Sequence, residues 1–146
     1  MSAESLLRRL AAIAILVAGG THFDLWLDHG YRSVHVIGPL FLLNAVSAAV
    51  IAALLLWRGG EPVQLIGLGY AVSTLAAFFV SVYYGLFGFG ETLAGTPQLI
   101  AALAEATAIA LFALSLARSH AIAPNCGRLE GRTARDHFER TRTHGA

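Results

Sequence analysis

Residues 39–57 read PLFLLNAVSAAVIAALLLW, an apolar run whose only polar side chains are Asn44 and Ser47. A membrane-spanning helix needs about 20 mostly apolar residues to cross roughly 30 Å of hydrocarbon at about 1.5 Å per residue. The run meets that length, and so do Leu65–Phe87 and Pro97–Ala117 on its C-terminal side. Upstream, Leu10 to Gly20 is apolar but short. It reaches spanning length only by taking in His22 and Asp24 as far as Leu27, where Trp26 suits the membrane–water interface. The expected spans are therefore 10–27, 39–57, 65–87 and 97–117. The expected fold is all-α: an antiparallel four-helix transmembrane bundle over residues 1–117, with a short, polar, flexible, Arg-rich cytoplasmic tail over residues 118–146.

Composition points the same way. The chain has 146 residues, 56% of them hydrophobic and 13% charged, with a mean hydropathy of +0.64. An average soluble domain carries roughly 25% charged residues, and a small one buries the smallest fraction of its surface. An ordinary soluble domain and a disordered chain are both excluded. The single cysteine, Cys126, excludes an internal disulfide and a Cys-based zinc finger. There is no internal repeat and no long block of like charge, so no nucleic-acid partner is expected, and the lipid bilayer is.

Every basic residue among the ten is Arg. With the N-terminus inside, Arg8, Arg9, Arg58, Arg118 and the arginines of the tail are all cytoplasmic, and Arg32 alone lies outside. This positive-inside bias predicts a multi-pass protein of the bacterial cytoplasmic (inner) membrane with both termini in the cytoplasm. Arg8, Arg9, the short apolar run and Ala18-Gly19-Gly20 also fit a cleavable signal peptide, which would leave three spans. The continuation Phe23, Leu25, Trp26, Leu27 favours an uncleaved first span. In the tail, Arg132–Asp136, Arg135–Glu139 and Asp136–Arg140 are spaced four apart, as a short surface helix requires. The tail serves to set topology, or to touch anionic headgroups.

Polar residues concentrate at the outer end of the first span and the loop after it. His22, Asp24, Asp28, His29, Tyr31, Arg32 and His35 fall within Thr21–His35. His22 and His29 are two helical turns apart. Imidazole and carboxylate suit zinc, copper or iron, yet the spacing matches no ligand motif. The plain reading is an interfacial cluster that meets water. Glu91, in the outer loop Gly85–Pro97, reads as solvated too, although Leu86-Phe87-Gly88-Phe89 is apolar enough to fold back over the outer side.

Glu105 stands alone among alanines, about 12 Å along the fourth span. A charged carboxylate facing lipid costs about 2.5–3.5 kcal/mol or more, so Glu105 is expected to face the bundle interior and to be hydrogen-bonded. It serves as glue between helices or as a functional group. Asn44, about 8 Å into the second span, His22, and Ser81, Tyr83 and Tyr84 at the outer end of the third could meet it. A pocket made by His22, Asp24, Asn44, Tyr84 and Glu105, opening to the outside, is the candidate site.

No phosphate-binding loop, nucleophile elbow or zinc-protease helix is present in the sequence. The first expectation is a non-enzymatic accessory or small-ligand-binding protein with no cofactor. The second is a redox protein in which His22, His29 or His35 holds haem or a metal ion. The third is a purely structural subunit, held to a membrane-protein partner or to its own copy by the alanine pairs Ala45–Ala49, Ala48–Ala52 and Ala49–Ala53.

His29-Gly30-Tyr31-Arg32-Ser33, followed by Gly38-Pro39-Leu40-Phe41-Leu42-Leu43-Asn44-Ala45-Val46, resembles a group of small bacterial membrane proteins with four spans. Gly85–Thr92 and Glu105 look like that group's Gly-Leu-Phe-Gly-Phe-x-Glu-Thr loop and Glu-bearing last helix. The resemblance covers about residues 20–115, implies a four-helix membrane fold, and brings no activity with it.

Overall fold

The structure, a computed structural model, describes residues 2–87, 90 and 95–143, with side chains as far as residue 121. Four helices follow one another: α1 (Ala3–Asp28), α2 (Ile37–Trp57), α3 (Glu61–Tyr84) and α4 (Thr96–Thr143), with a single 3-10 turn at Tyr31–Ser33 between the first two. No strand occurs among the described residues. The chain divides into two units, Met1–Ser115, which holds the bundle, and Leu116–Ala146. The stretches Ala3–Asp28, Ile37–Trp57, Glu61–Tyr84 and Thr96–Ala121 are 26, 21, 24 and 26 residues long. Each is long and apolar enough to cross a bilayer, and together they make this a multi-pass membrane protein.

Local chemistry sets the helix ends. Ser2 caps α1, its hydroxyl accepting from the Ser5 N–H at 3.2 Å, so the first helix starts well before the expected boundary at residue 10. α3 stops at Tyr84 and not at Phe87. Gly85 turns out of the helix at φ 75°, its N–H still bonded to the Ser81 carbonyl at 3.1 Å. Gly38, at the start of α2, lies under the 3-10 turn, where an added Cβ would come within 2.7 Å of the Tyr31 carbonyl oxygen.

The bundle is built with small residues inside and large ones outside. Ala11, Ala12, Ala18, Ala48, Ala52, Ala71, Ala104 and Ala108 are buried, joined by Ile15, Leu55 and Phe112. Ile13, Val46, Val50, Leu56, Ile66 and Leu103 all point outward. Lipid tails are as apolar as Leu, so lipid-facing Leu loses nothing, and close backbone approach through small residues holds the helices together. Gly19 of α1 faces Ala48 of α2 so closely that any Cβ at residue 19 would collide with the alanine methyl. Gly67 of α3 faces the ring of Phe112, with 2.5 Å between an added Cβ and Cζ. Of the alanines expected to form packing faces on α2, Ala48 and Ala52 are buried, while Ala49 and Ala53 are exposed.

Candidate functional site

At the end of the bundle that carries the α1–α2 and α3–α4 connections, the four helices part around a cavity of about 370 Å³. Each helix contributes one polar position or more. α1 brings His22; α2 brings Asn44 and Ser47; α3 brings Tyr70, Ser73, Thr74 and Ser81; α4 brings Gln98 and Glu105. The rest of the wall is apolar, chiefly Leu40, Phe41, Leu43, Ala77 and Phe78.

Glu105 is the most enclosed of these polar groups, with 2% of its surface exposed. Its Oε1 is buried and accepts no hydrogen bond. The Thr74 hydroxyl reaches the Glu105 carboxyl, while the other hydroxyls near the floor of the cavity spend their protons elsewhere. The Tyr70 hydroxyl donates to Asn44 Oδ1, and lies 3.2 Å from the Asn44 carbonyl oxygen. Ser73 donates to the Tyr70 carbonyl at 2.9 Å, and the Thr74 hydroxyl lies 3.0 Å from the same oxygen. A hydroxyl has one proton to give. With Thr74 serving the carboxyl once and Tyr70 and Ser73 directed elsewhere, Glu105 Oε1 is left as an acceptor without a donor.

Toward the loops the cavity is bordered by aromatic rings. Phe41 stacks on Tyr31 of the 3-10 turn with ring centroids 4.8 Å apart, and meets His22 edge-on at 5.1 Å. Gln98 of α4 donates through Nε2 to the Tyr31 hydroxyl at 3.3 Å. The His22 Nδ1 lies 2.8 Å from the Ala18 carbonyl oxygen. A carbonyl can only accept, so Nδ1 carries the proton, and any metal or haem iron at His22 would have to be met by Nε2.

Among the residues singled out from the sequence, the structure brings His22, Asn44 and Glu105 to one cavity. Asp24 and Tyr84 do not line it. Asp24 is on another face of α1, beside a shallow groove against Thr96, Pro97 and Ile100. It pairs instead with His29, Nδ1 to Oδ2 at 3.5 Å, with both side chains about half exposed. Tyr84 is 87% exposed at the last turn of α3 and turns away from the bundle, so Ser81, one turn earlier, is what that helix presents to the cavity. Arg32 and His35 are exposed on the α1–α2 connection. Glu91 lies outside the described residues. Among the described residues, no three of His, Cys, Asp and Glu gather as a metal-binding set.

Tyr70, Ser73, Thr74 and Gln98 were not singled out from the sequence, although Tyr70, Ser73, Thr74 and Ser81 recur at helical spacing along one face of α3. No known protein family, no curated protein and no solved structure matches this chain.

Proposed function

We propose that this multi-pass membrane protein is a non-enzymatic small-molecule-binding protein whose site is the cavity between its four helices. The observation that carries the reading is Glu105, a carboxyl group enclosed within the bundle, lining a molecule-sized cavity, with one oxygen left without a hydrogen-bond donor. Burying such an oxygen unpaired costs about 1–3 kcal/mol, and more when it is charged. A group retained at that cost purely as glue between helices would be expected to have its oxygens paired. A cavity of a few hundred cubic ångströms with apolar walls and a few convergent polar groups is also the usual form of a small-molecule site.

Protein purified in a mild detergent should carry a small-molecule adduct in native mass spectrometry. Ala102 of α4 lines the cavity, and filling it by Ala102→Phe should remove that adduct while leaving the thermal melt in place. An adduct that survives Ala102→Phe, or a parent protein that carries none and is stabilised by no small molecule, would overturn the reading.

The cavity opens to the outside in the orientation we propose, with both termini on the cytoplasmic side of a bacterial inner membrane and α1 retained as a span. The placement of arginines supports this. So does the packing of α1, whose Ala11, Ala12, Ile15 and Ala18 are buried in the bundle. A topology reporter fused after Ala146, or inserted at Gly59, should read cytoplasmic, and one at Gly95 external. An external C-terminus would reverse the assignment.

A further inference from the structure

We propose that the ligand of the cavity is a small organic cation, a primary or secondary ammonium on a flat apolar body, with its ammonium against Glu105. The inference rests on the reading of the cavity as a binding site and names the class of molecule it takes.

The argument begins with protons. Tyr70 and Ser73 each give their one hydroxyl proton to Asn44 or to a backbone carbonyl, and Thr74, whose hydroxyl also lies against the Tyr70 and Ala71 carbonyls, is the hydroxyl that reaches the Glu105 carboxyl. The His22 Nδ1 proton goes to the Ala18 carbonyl. The donors that remain around the floor, such as the Asn44 amide, do not reach Glu105 Oε1, which has no partner. What the floor lacks is therefore a donor for Oε1, and what it offers there is the lone pairs of a buried carboxyl that Thr74 serves only once.

Charge selects further. No Arg is among the described residues that line the cavity, and the protein has no Lys. An anion would meet Glu105 and carbonyl-directed hydroxyls with no countercharge. A neutral alcohol would supply one donor. An ammonium supplies up to three, together with the opposite charge, and hydrogen bonds to an ionised partner are roughly twice as strong as neutral ones.

Size and wall chemistry set the rest of the molecule. About 370 Å³ is far more than a bare metal ion fills, and the wall away from the floor is Leu40, Phe41, Leu43 and Phe78. Such a wall takes an aliphatic or aromatic body, and a ring fits beside Phe41 and Phe78. Deep polar floor and apolar wall together describe an amphipathic amine that enters with its charged end first.

Three probes of one shape test this on the full-length protein in detergent: phenethylamine as its ammonium, 2-phenylethanol and phenylacetate. Saturable binding is read by titration calorimetry and by the shift in melting temperature. Phenethylammonium should bind at least about 10-fold more tightly than 2-phenylethanol, and phenylacetate should not bind. Glu105→Gln keeps the shape but not the charge, and should weaken the ammonium about 10- to 100-fold, down to the level of the alcohol. If Glu105→Gln fails to fold, the order of the three probes on the parent still decides. Equal or tighter binding of 2-phenylethanol, abolished by Ala102→Phe, would overturn the cation and leave the cavity as a neutral-ligand site. No saturable binding of any probe would overturn the cation as well, and the co-purified adduct then decides the cavity independently.

Discussion

Phe112→Ala is expected to destabilise the bundle by about 2–3 kcal/mol, the largest loss from any single truncation of its interior. Phe112 is completely buried and is the largest of the fully buried side chains. Its ring lies over Gly67, where there is no side chain to follow it inward when it is cut back. In water, removing a buried Phe costs transfer free energy plus the cavity left behind. In a bilayer the transfer part largely falls away, because lipid solvates the ring in the separated helices as well. The cavity part remains. At about 24 cal/mol per Å³, a void of roughly 100 Å³ accounts for the expected loss. Thermal melts in detergent, or reversible unfolding in mixed micelles, would measure it. A loss below about 1 kcal/mol would mean that α3 and α4 close over the void, and that the Gly67–Phe112 contact is not what spaces them.

The second large effect is expected at Gly19, and it comes with its own rescue. A methyl at residue 19 would collide with the methyl of Ala48, while the next nearest atoms, the carbonyl oxygen and Cα of Ala45, stand at 3.5 and 3.6 Å. Gly19→Ala should force α1 away from α2 and cost about 2 kcal/mol, within the usual range for overpacking. Ala48→Gly alone should cost about 1 kcal/mol, the ordinary penalty of a helical glycine. The double variant moves the methyl from one helix to the other and should return to within about 1 kcal/mol of the parent. The coupling is then plainly non-additive, as expected for side chains in direct contact. If the two changes simply add, the collision is relieved by other means and the close α1–α2 approach does not depend on this pair.

The four helices were legible from the sequence because each apolar run is near the length a bilayer requires, and because Arg58-Gly59-Gly60, Pro62 and Pro97 mark the breaks. The boundaries that moved did so for local reasons. Ser2 carries α1 back to Ala3, and Gly85 ends α3 three residues early. The site was only partly legible. Glu105 and Asn44 stand out because a polar group inside an apolar run is conspicuous. Asp24 and Tyr84 lie at the right depth but on the wrong face, and helix rotation about its own axis is not encoded in depth. The stripe Tyr70, Ser73, Thr74 and Ser81 did carry the rotational information, at spacings of three, one and seven. It is masked by the small size of Ser and Thr, which read as neutral filler in a membrane helix although they line the cavity beside Glu105.

The inverted arrangement of the bundle, alanine and glycine within and leucine and valine without, has a thermal consequence. The heat capacity of unfolding in soluble domains comes from apolar surface newly exposed to water, and it bends their stability curves into a dome. When these helices separate inside a bilayer, Ala11, Ala48 and Phe112 exchange protein neighbours for acyl chains and meet almost no water. The curvature therefore has little to arise from. Stability should vary nearly linearly with temperature and show no maximum near room temperature, so chilling strengthens this bundle over a range in which a water-soluble fold would already be losing its hold.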